Sequence, residues 1–208
     1  MAVEILTDGS LYANNKLGMV NQCLLAIGEV PLADGTVLEN LQPGTDGAIA
    51  RDIVASTVVD IMSQGWFFNT DTEFKLHPDV DGFITVPPNV IRIDGGYYNE
   101  RGRYILRGHR VYDTKEHQYK FDSYITVDIV YIIAYENMPQ SAYRYMALRA
   151  ARQFQETVVG SGVLYQFTVN AEAEALANMQ REHLQYTDYN VLSKRVALAY
   201  TNPRWGND

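Results

Sequence analysis

Cysteine is nearly absent from this sequence: Cys23 is the only one among 208 residues. An internal disulfide is therefore excluded, and a single thiol among the apolar residues of a helix is typical of a small buried side chain. Long apolar segments are absent too, since the longest, VDIVYIIAY, is short and contains Asp128. The first ten residues, MAVEILTDGS, lack the basic and apolar regions of a signal peptide. We therefore expect a soluble protein made in a cytoplasm.

Basic residues are scarce in the first third of the chain. Residues 1–72 carry two Lys and Arg against nine Asp and Glu, and the net charges of residues 1–72, 73–135 and 136–208 are −7, −1 and 0. A protein that grips nucleic acid needs Lys and Arg concentrated on one face, where they displace phosphate counterions. The charge distribution argues against such binding and favours a surface that DNA slides past.

The motifs of metal, cofactor and catalytic sites are also lacking. No two histidines have the spacing of a zinc site: His77, His109, His117 and His183. GSG at 160–162 lacks the flanks of a nucleophile elbow, and DGG at 94–96 indicates a turn. HPDVDG at 77–82 has two acidic positions of a calcium loop without the rest. We expect no metal, no cofactor and no catalytic residue.

Two amphipathic helices are predicted in the first third. The first has apolar residues three or four apart, Leu17, Val20, Leu24 and Ile27. Gly28 can end it in the left-handed conformation. The second runs from Asp46 to about residue 64, with Thr45 or Asp46 as N-cap and Gly65 at its end.

Short strands are predicted between residues 72 and 135, because the apolar period changes to two and turn residues separate the segments. The predicted strands are EFKL, GFITV, VIRID, RYILRG, HRVYD and ITVDIVYII. In the last of them Ile125, Val127 and Ile129 point to one face of the strand and the residues between them to the other. This alternation predicts an antiparallel sheet with one face exposed to solvent.

The helical period then returns. Pro139 suits the first position of a third helix that runs towards Gly160. Its apolar stripe has members at helical spacing, Ala142, Met146, Ala150 and Phe154. A fourth helix, rich in alanine, is predicted from about Asn170.

The order of these elements predicts an α+β fold. The economical arrangement is a four-helix bundle, formed by residues 1–71 and 136–187, with an antiparallel β insertion at 72–135 between the second and third helices. The aromatic run SQGWFFN, at 63–69, would lie between the helical bundle and the sheet, where the side chain of Trp66 would form a hydrophobic joint by packing against both. Residues 188–208 fit neither layer and are predicted to form an extended tail.

Two features are candidate partner interfaces. The tail is too apolar for a free end, and it either folds back on its own bundle or docks on another chain; its candidate residues are Val196, Leu198, Tyr200 and Trp205. The segment NERGRYILRGHR carries four arginines over two hairpin strands: Arg101, Arg103, Arg107 and Arg110. They are either a charged, solvated sheet edge or a contact with an acidic partner or phosphate.

These blocks together resemble one family, the tail tubular protein A, or head-to-tail adaptor, of T7-like short-tailed bacteriophages. The resemblance runs from LLAIGEVPL at 24–32 through SQGWFFN and FDSYITVDIV at 121–130 to NMPQSAYRYMALRAARQFQ at 137–155. It spans most of the chain in the same order.

The resemblance implies a structural protein of the virion tail. Members look like helical bundles with a β insertion, assembled as a twelve-subunit ring at the head-to-tail junction. The implied partners are further copies of the chain, the portal protein and the tail nozzle protein, which is similar to tail tubular protein B. DNA would pass through without specific binding. Because the first third of the chain is acidic, we expect acidic residues such as Asp34 and Glu39 to line the channel.

Two other functions stay open at this point. A tail-associated glycan hydrolase would need two carboxylates brought within about 5–9.5 Å, and no pair is singled out by local sequence. A small-molecule binding module has only the aromatic content in its favour, and 15 tyrosines are equally typical of interfaces.

Overall fold

The computed structural model describes residues 14–96, 102–160 and 162–200, and it describes 162–167 and 188–200 by their backbone alone. The described part is a mixed α and β fold with small antiparallel sheets. The α-helices are α1 Lys16–Ala26, α2 Asp46–Met62, α3 Gln140–Val158 and α4 Gly162–Tyr200. The strands are β1 Thr70–Leu76, β2 Val90–Gly95, β3 Tyr104–Arg107, β4 Arg110–Asp113 and β5 Ile125–Tyr131.

The first two helices end where the sequence predicts. The side chain of Thr45 caps α2 by accepting a hydrogen bond from the N–H of Ala48. Gly28 follows α1 with φ +83°, and Gly65 follows α2 with φ +78°. Both glycines therefore adopt the left-handed conformation that other residues adopt only at a cost.

The helices enclose one hydrophobic cluster around α3, which contacts α1, α2 and α4. The predicted stripe of α3 lies inside it, since Ala142, Met146, Ala150 and Phe154 are almost fully buried. From α4, Ala175 and Met179 enter the same cluster.

The prediction for the end of the chain is wrong at residues 188–200, which continue α4 and do not form an extended tail. The strong helix breakers, Pro203 and Gly206, come after this segment, and residues 188–200 contain neither proline nor glycine. The fourth helix also begins at Gly162, earlier than the predicted Asn170. Residues 201–208 lie outside the described part of the chain.

The strands form a three-stranded antiparallel sheet in the order β1-β5-β2 and a separate β3-β4 hairpin. The prediction of a strand at GFITV, residues 82–86, is wrong. This segment forms only isolated β-bridges, from Phe83 to Lys120 and from Thr85 to Arg110. A second hydrophobic cluster fills this part of the molecule, with Ile84, Val111, Val127 and Ile129 almost fully buried.

The central strand β5 is covered on both faces, so the prediction of one wet face is wrong for this strand. Ile125, Val127 and Ile129 face the second cluster, as predicted. On the other face, Thr126 and Val130 are also buried. Glycines allow the covering loops to approach, because a Cβ at Gly96 would lie 3.1 Å from Thr126 and one at Gly65 would lie 3.2 Å from Val130.

Candidate assembly interface

The segment at residues 63–69, here called the joint, connects α2 to β1 and is organised by one buried amide. The Oδ1 atom of Asn69 accepts a hydrogen bond from the N–H of Trp66 at 2.8 Å. Its Nδ2 atom donates to the carbonyl oxygens of Met62 at 2.9 Å and Tyr131 at 2.7 Å. Asn69 therefore ties the end of α2 to the end of β5. Asparagine suits this position because one side chain both donates and accepts.

The aromatic residues of the joint attach it to α4. Trp66 is 8% exposed and belongs to the helical cluster, and its Nε1 atom donates to the carbonyl oxygen of Ile61 at 2.9 Å. The ring of His183 meets Trp66 edge-on, and its Nδ1 atom accepts a hydrogen bond from the N–H of Phe67 at 3.2 Å. Such contacts are typical of a hydrophobic joint.

The outer side of the joint is an exposed aromatic surface. The rings of Phe67 and Tyr186 stack with centroids 4.6 Å apart and planes 6° apart, although Tyr186 is 59% exposed. Leu184, two residues earlier in α4, is 56% exposed. Three open depressions, of about 300, 390 and 410 Å³, border this part of α4. All three are open to solvent.

Arg103, the residue before β3, is engaged within the protomer. Arg103 forms an ion pair with Asp113, with Nη2 2.8 Å from Oδ2, and the Asp113 side chain is 3% exposed. The other oxygen of Asp113 accepts hydrogen bonds from the N–H groups of Lys115 and Glu116. Burial by itself raises the pKa of the Asp113 carboxyl, but the hydrogen bonds from Arg103 and the main chain outweigh burial, so the pKa lies below its ordinary value.

Two further arginines lie at the exposed end of the hairpin, where Gly108 adopts φ +64° in a two-residue turn. The guanidinium of Arg107 lies 3.6 Å from the ring centroid of Tyr112. Arg110 and Lys120 both lie over the ring of Phe83, at 4.6 and 5.4 Å. Cations held over aromatic rings keep their charge at the surface in a defined position. Arg101 lies outside the described residues.

The turn at residues 79–83 stands next to this hairpin end. It is rigid, because Asp79 accepts hydrogen bonds through Oδ1 from the N–H groups of Asp81 and Phe83 and donates its own N–H to the carbonyl oxygen of Phe83. At its tip Val80 is fully exposed. The sequence analysis missed this residue, although a valine between two aspartates in a turn is the signal that could have found it. We call the turn, the hairpin end 107–110 and Lys120 the β-tip.

A second exposed surface lies between α1 and α2. Residues 17–50 contain no Lys or Arg but four acidic residues: Glu29, Asp34, Glu39 and Asp46. Both acids proposed for the channel wall, Asp34 and Glu39, are exposed. We call residues 28–37 of this segment the acidic loop.

The predicted interface residues at the end of the chain divide into two groups. Val196, Leu198 and Tyr200 lie in α4, whose backbone alone is described there. Trp205 lies outside the described residues. The helix nevertheless extends well beyond Ala175 and Met179, which are its buried residues in the helical cluster among those whose side chains are described.

Within the described ranges, no group of three or more His, Cys, Asp or Glu side chains is arranged to hold a metal ion. None of the helices described is both long enough and apolar enough to span a bilayer.

Comparison with known proteins gives a consistent result. The family model described as "Tail tubular protein" matches residues 17–189. The tail tubular protein A of Klebsiella phage KP34 is 29% identical over 192 residues, which cover 91% of this chain and 98% of that relative. The match includes the joint, the β-tip, the acidic loop and most of α4.

Proposed function

This chain belongs to the tail tubular protein family and is a structural component of a bacteriophage tail, and from this premise we propose that it is a ring-forming adaptor. The ring has twelve copies and joins the portal protein to the tail nozzle protein. In each copy the four helices form a bundle, and the β insertion projects from it. The ring keeps the channel for DNA continuous between head and tail.

The observation that carries this proposal is that one protomer presents two chemically different exposed surfaces. The β-tip carries Arg107, Arg110 and Lys120, with Asp79 and Asp81 on either side of the exposed Val80, whereas the acidic loop carries Glu29 and Asp34 and contains no Lys or Arg. A closed ring needs contacts of this heterologous kind, in which each copy presents two different complementary patches. A twofold dimer needs only one self-complementary patch.

The charge distribution supports passage of DNA without binding. Asp34 and Glu39 are exposed in the segment 17–50, which contains no Lys or Arg, although Lys16 lies 4.0 Å from Glu39. Carboxylates on a channel wall repel phosphates. DNA therefore meets no cluster of Lys or Arg there that could hold it by counterion release. We propose that these two residues face the channel rim.

The surfaces for the portal and nozzle proteins are the hairpin arginines and the last part of α4. Arg107 and Arg110 are exposed at the hairpin end, and Val196, Leu198 and Tyr200 extend α4 past its core residues. A helix that continues with apolar residues in its sequence beyond its core contacts provides an element for docking in a partner's groove.

The family is one of structural phage proteins and not of enzymes, and no observation supports the alternative of a glycan hydrolase.

Imaging of intact particles tests the proposal. We expect reconstructions of the particle to contain a closed ring of this chain at the head-to-tail junction. Mass measurement of the free protein, and then of its mixture with portal protein, should show a single large assembly in the mixture. A particle in which the chain lies elsewhere on the tail, or in no ring, would overturn the proposal.

A further inference from the structure

Helices α3 and α4 are antiparallel, and α4 runs past the start of α3. The hydroxyl of Thr168 donates to Oε1 of Gln155 at 3.2 Å, and the hydroxyl of Ser141 donates to the carboxylate of Glu182. Because α3 begins one residue before Ser141, the rest of α4 continues beyond it. We call residues 183–200 the arm, which is about 27 Å long at 1.5 Å per residue.

The arm needs support from another element to stay helical. In proteins most of the stability of a helix comes from the packing of one face, and short isolated helices are marginal in water. The arm contains residues of low helix propensity, among them Asn190, Val191 and Ser193. The described residues that α4 buries in the helical cluster, Ala175 and Met179, precede the arm. We therefore looked for a contact beyond them.

The joint supplies such a contact at the base of the arm. The Nδ1 atom of His183 accepts a hydrogen bond from the N–H of Phe67 at 3.2 Å, and its ring meets that of Trp66 edge-on, with centroids 5.3 Å apart. Tyr186, three residues further on, stacks on Phe67. Residues three apart are neighbours on a helix surface, so both attach the same side of the arm. We call Phe67, His183 and Tyr186 the latch.

The joint is itself fixed to the sheet. The N–H of Tyr131 donates to the carbonyl oxygen of Asn69 at 2.9 Å, in addition to the side-chain hydrogen bond between the same residues. Arg92 of β2 donates from Nη2 to the carbonyl oxygen of Gln64 at 3.3 Å. The latch therefore connects the arm to a segment that two strands hold in place.

The latch is a small contact at the surface. Tyr186 is 59% exposed, and the depression that it borders together with Phe67 and His183 is open to solvent. Substitutions at largely exposed positions change the stability of a protein little. We therefore expect changes at Tyr186 to affect the arm and to leave the helical cluster folded.

We propose that the latch positions the arm. It keeps residues 183–200 helical and in one orientation relative to the sheet, so that a partner protein meets a preformed helix. A preformed helix loses less conformational entropy on binding than a segment that must fold. Phe67, His183 and Tyr186 act through the arm and are positioning residues. The inference rests on the proposed function, which assigns docking on the portal or nozzle protein to the last part of α4.

Hydrogen exchange of the full chain, followed by mass spectrometry, measures how well the arm is held. We expect Tyr186→Ala to speed exchange in peptides from 187–200 at least about fivefold, while peptides from 163–179 keep their rates. Alanine has a higher helix propensity than tyrosine, so faster exchange reports the lost contact and not the new residue. Tyr186→Phe, which keeps the ring stack, should keep the slow exchange.

A change in the joint gives an independent test. Phe67→Ala leaves the sequence of α4 unaltered and should speed exchange in the arm as Tyr186→Ala does. The double variant should exchange no faster than either single one, because both remove the same contact. Gln185→Ala, at an exposed position between the two latch residues of α4, is the matched control and should keep the slow exchange.

The hydrogen bond of the latch is tested at His183. His183→Leu removes the acceptor for the N–H of Phe67 and should speed exchange in the arm. His183→Asn should keep the slow exchange, because its amide oxygen is attached to Cγ, as Nδ1 is in histidine, and can accept the same hydrogen bond.

Binding to purified portal and nozzle proteins tests what the latch contributes to docking. The relevant partner is the one whose binding is lost when the chain is cut after Tyr189. For that partner, Phe67→Ala and Tyr186→Ala should raise the Kd about fivefold or more, whereas Tyr186→Phe and Gln185→Ala should not. Urea unfolding verifies that every variant is folded.

The outcomes separate this inference from the proposed function. Faster exchange in the arm together with weaker binding supports the inference. Unchanged exchange in both alanine variants overturns it, as does exchange in the arm of the unaltered chain that is as fast as in an unstructured peptide. Faster exchange with unchanged binding also overturns it, since the partner then needs no preformed helix. All three of these results leave the adaptor proposal standing. Binding to both proteins that survives the cut after Tyr189 overturns the docking role of α4 in the proposed function, and the inference with it.

Discussion

The side-chain amide of Asn69 donates a hydrogen bond to the main-chain carbonyl of Tyr131, 62 residues further along the chain. The same amide holds the last turn of α2 through Met62 and the joint through Trp66. A single 2% exposed side chain thus sets where the β strands leave the helices.

Replacing Asn69 with alanine should destabilise the monomer. The change leaves buried main-chain groups without partners, and the expected loss is about 1–3 kcal/mol in the free energy of unfolding. Urea denaturation followed by circular dichroism measures it. Asn40→Ala, at an exposed position, is the matched control and should have little effect. A loss no larger than that of the control would show that the joint holds without the amide.

Truncation of Trp66 should cost more. Trp66→Ala removes a large side chain from the helical cluster, and we expect a loss of about 3–5 kcal/mol. Trp66→Phe keeps much of the packing and loses the hydrogen bond to the carbonyl oxygen of Ile61, so its effect should be smaller. Thermal and urea unfolding of both variants give the comparison. Equal effects would mean that the hydrogen bond, and not packing, carries the stability.

Asp113 should make stability depend on pH in the acid range. Its pKa is lower in the folded state, so its contribution is complete above the ordinary aspartate pKa of about 4 and is lost as the pH falls through the lowered folded value. Asp113→Asn should therefore lose about 1.5–3 kcal/mol at pH 7 and show a flatter decline in acid. Urea denaturation, repeated at steps of about one pH unit from about pH 2 to pH 7, measures how the free energy of unfolding changes in each protein. Asp60→Asn, which is exposed, should keep the profile of the unaltered chain.

Glu172 should stabilise the packing of α4 on α3. It is 8% exposed and receives hydrogen bonds from Arg149 at 2.9 Å and from the Nε atom of Arg152. Glu172→Gln removes the charge that both arginines face, and we expect a loss of about 1–3 kcal/mol, since Arg149 is partly solvated. Glu156→Gln is the control: Glu156 pairs with the same Arg152 but is 45% exposed, so its loss should stay below about 1 kcal/mol. Losses of similar size in Glu172→Gln and Glu156→Gln would show that the charge of Glu172 does not specifically stabilise the packing of α4 on α3.

Removal of the chain after Tyr189 should affect assembly more than folding. The described core residues of α4, Ala175 and Met179, precede this point. We expect an unchanged melting temperature of the monomer and weaker attachment to portal protein, measured by co-sedimentation. Truncation after Tyr200 separates residues 201–208 from the last turns of the helix. Unfolding of the shorter protein would show that the end of α4 belongs to the core of the monomer.

Local patterns predicted much of the fold because helix ends and stripes depend on residues close in sequence. The cap at Thr45, the stops at Gly28 and Gly65 and the buried stripe through Phe154 are confirmed. The end of the chain was misjudged because an apolar segment with breakers beyond it was taken for a tail, whereas helix formation continues until a breaker occurs. The second face of β5 was misjudged because alternation does not reveal which loops cover it.

The candidate interface was only partly predictable. The hairpin arginines stand out as a cluster of like charge, yet sequence does not reveal that Arg103 is held by Asp113 while Arg107 and Arg110 reach the exposed end. Val80 was passed over because its neighbours are typical of a solvated turn. The joint was recognised from its aromatic run, but its organising residue, Asn69, was not.

By itself, the sequence determined the positions of the first three helices, the succession of α and β segments, the acidic first third and the family. These properties arise from backbone preferences, periodicity and charge counts, which act over a few residues. Only the tertiary structure decided that Asn69 meets Tyr131, that Phe67 stacks on Tyr186, and that the cations of the β-tip surround Phe83. Such contacts join residues far apart in the chain, and they form because buried polar groups need partners and apolar surfaces exclude water together.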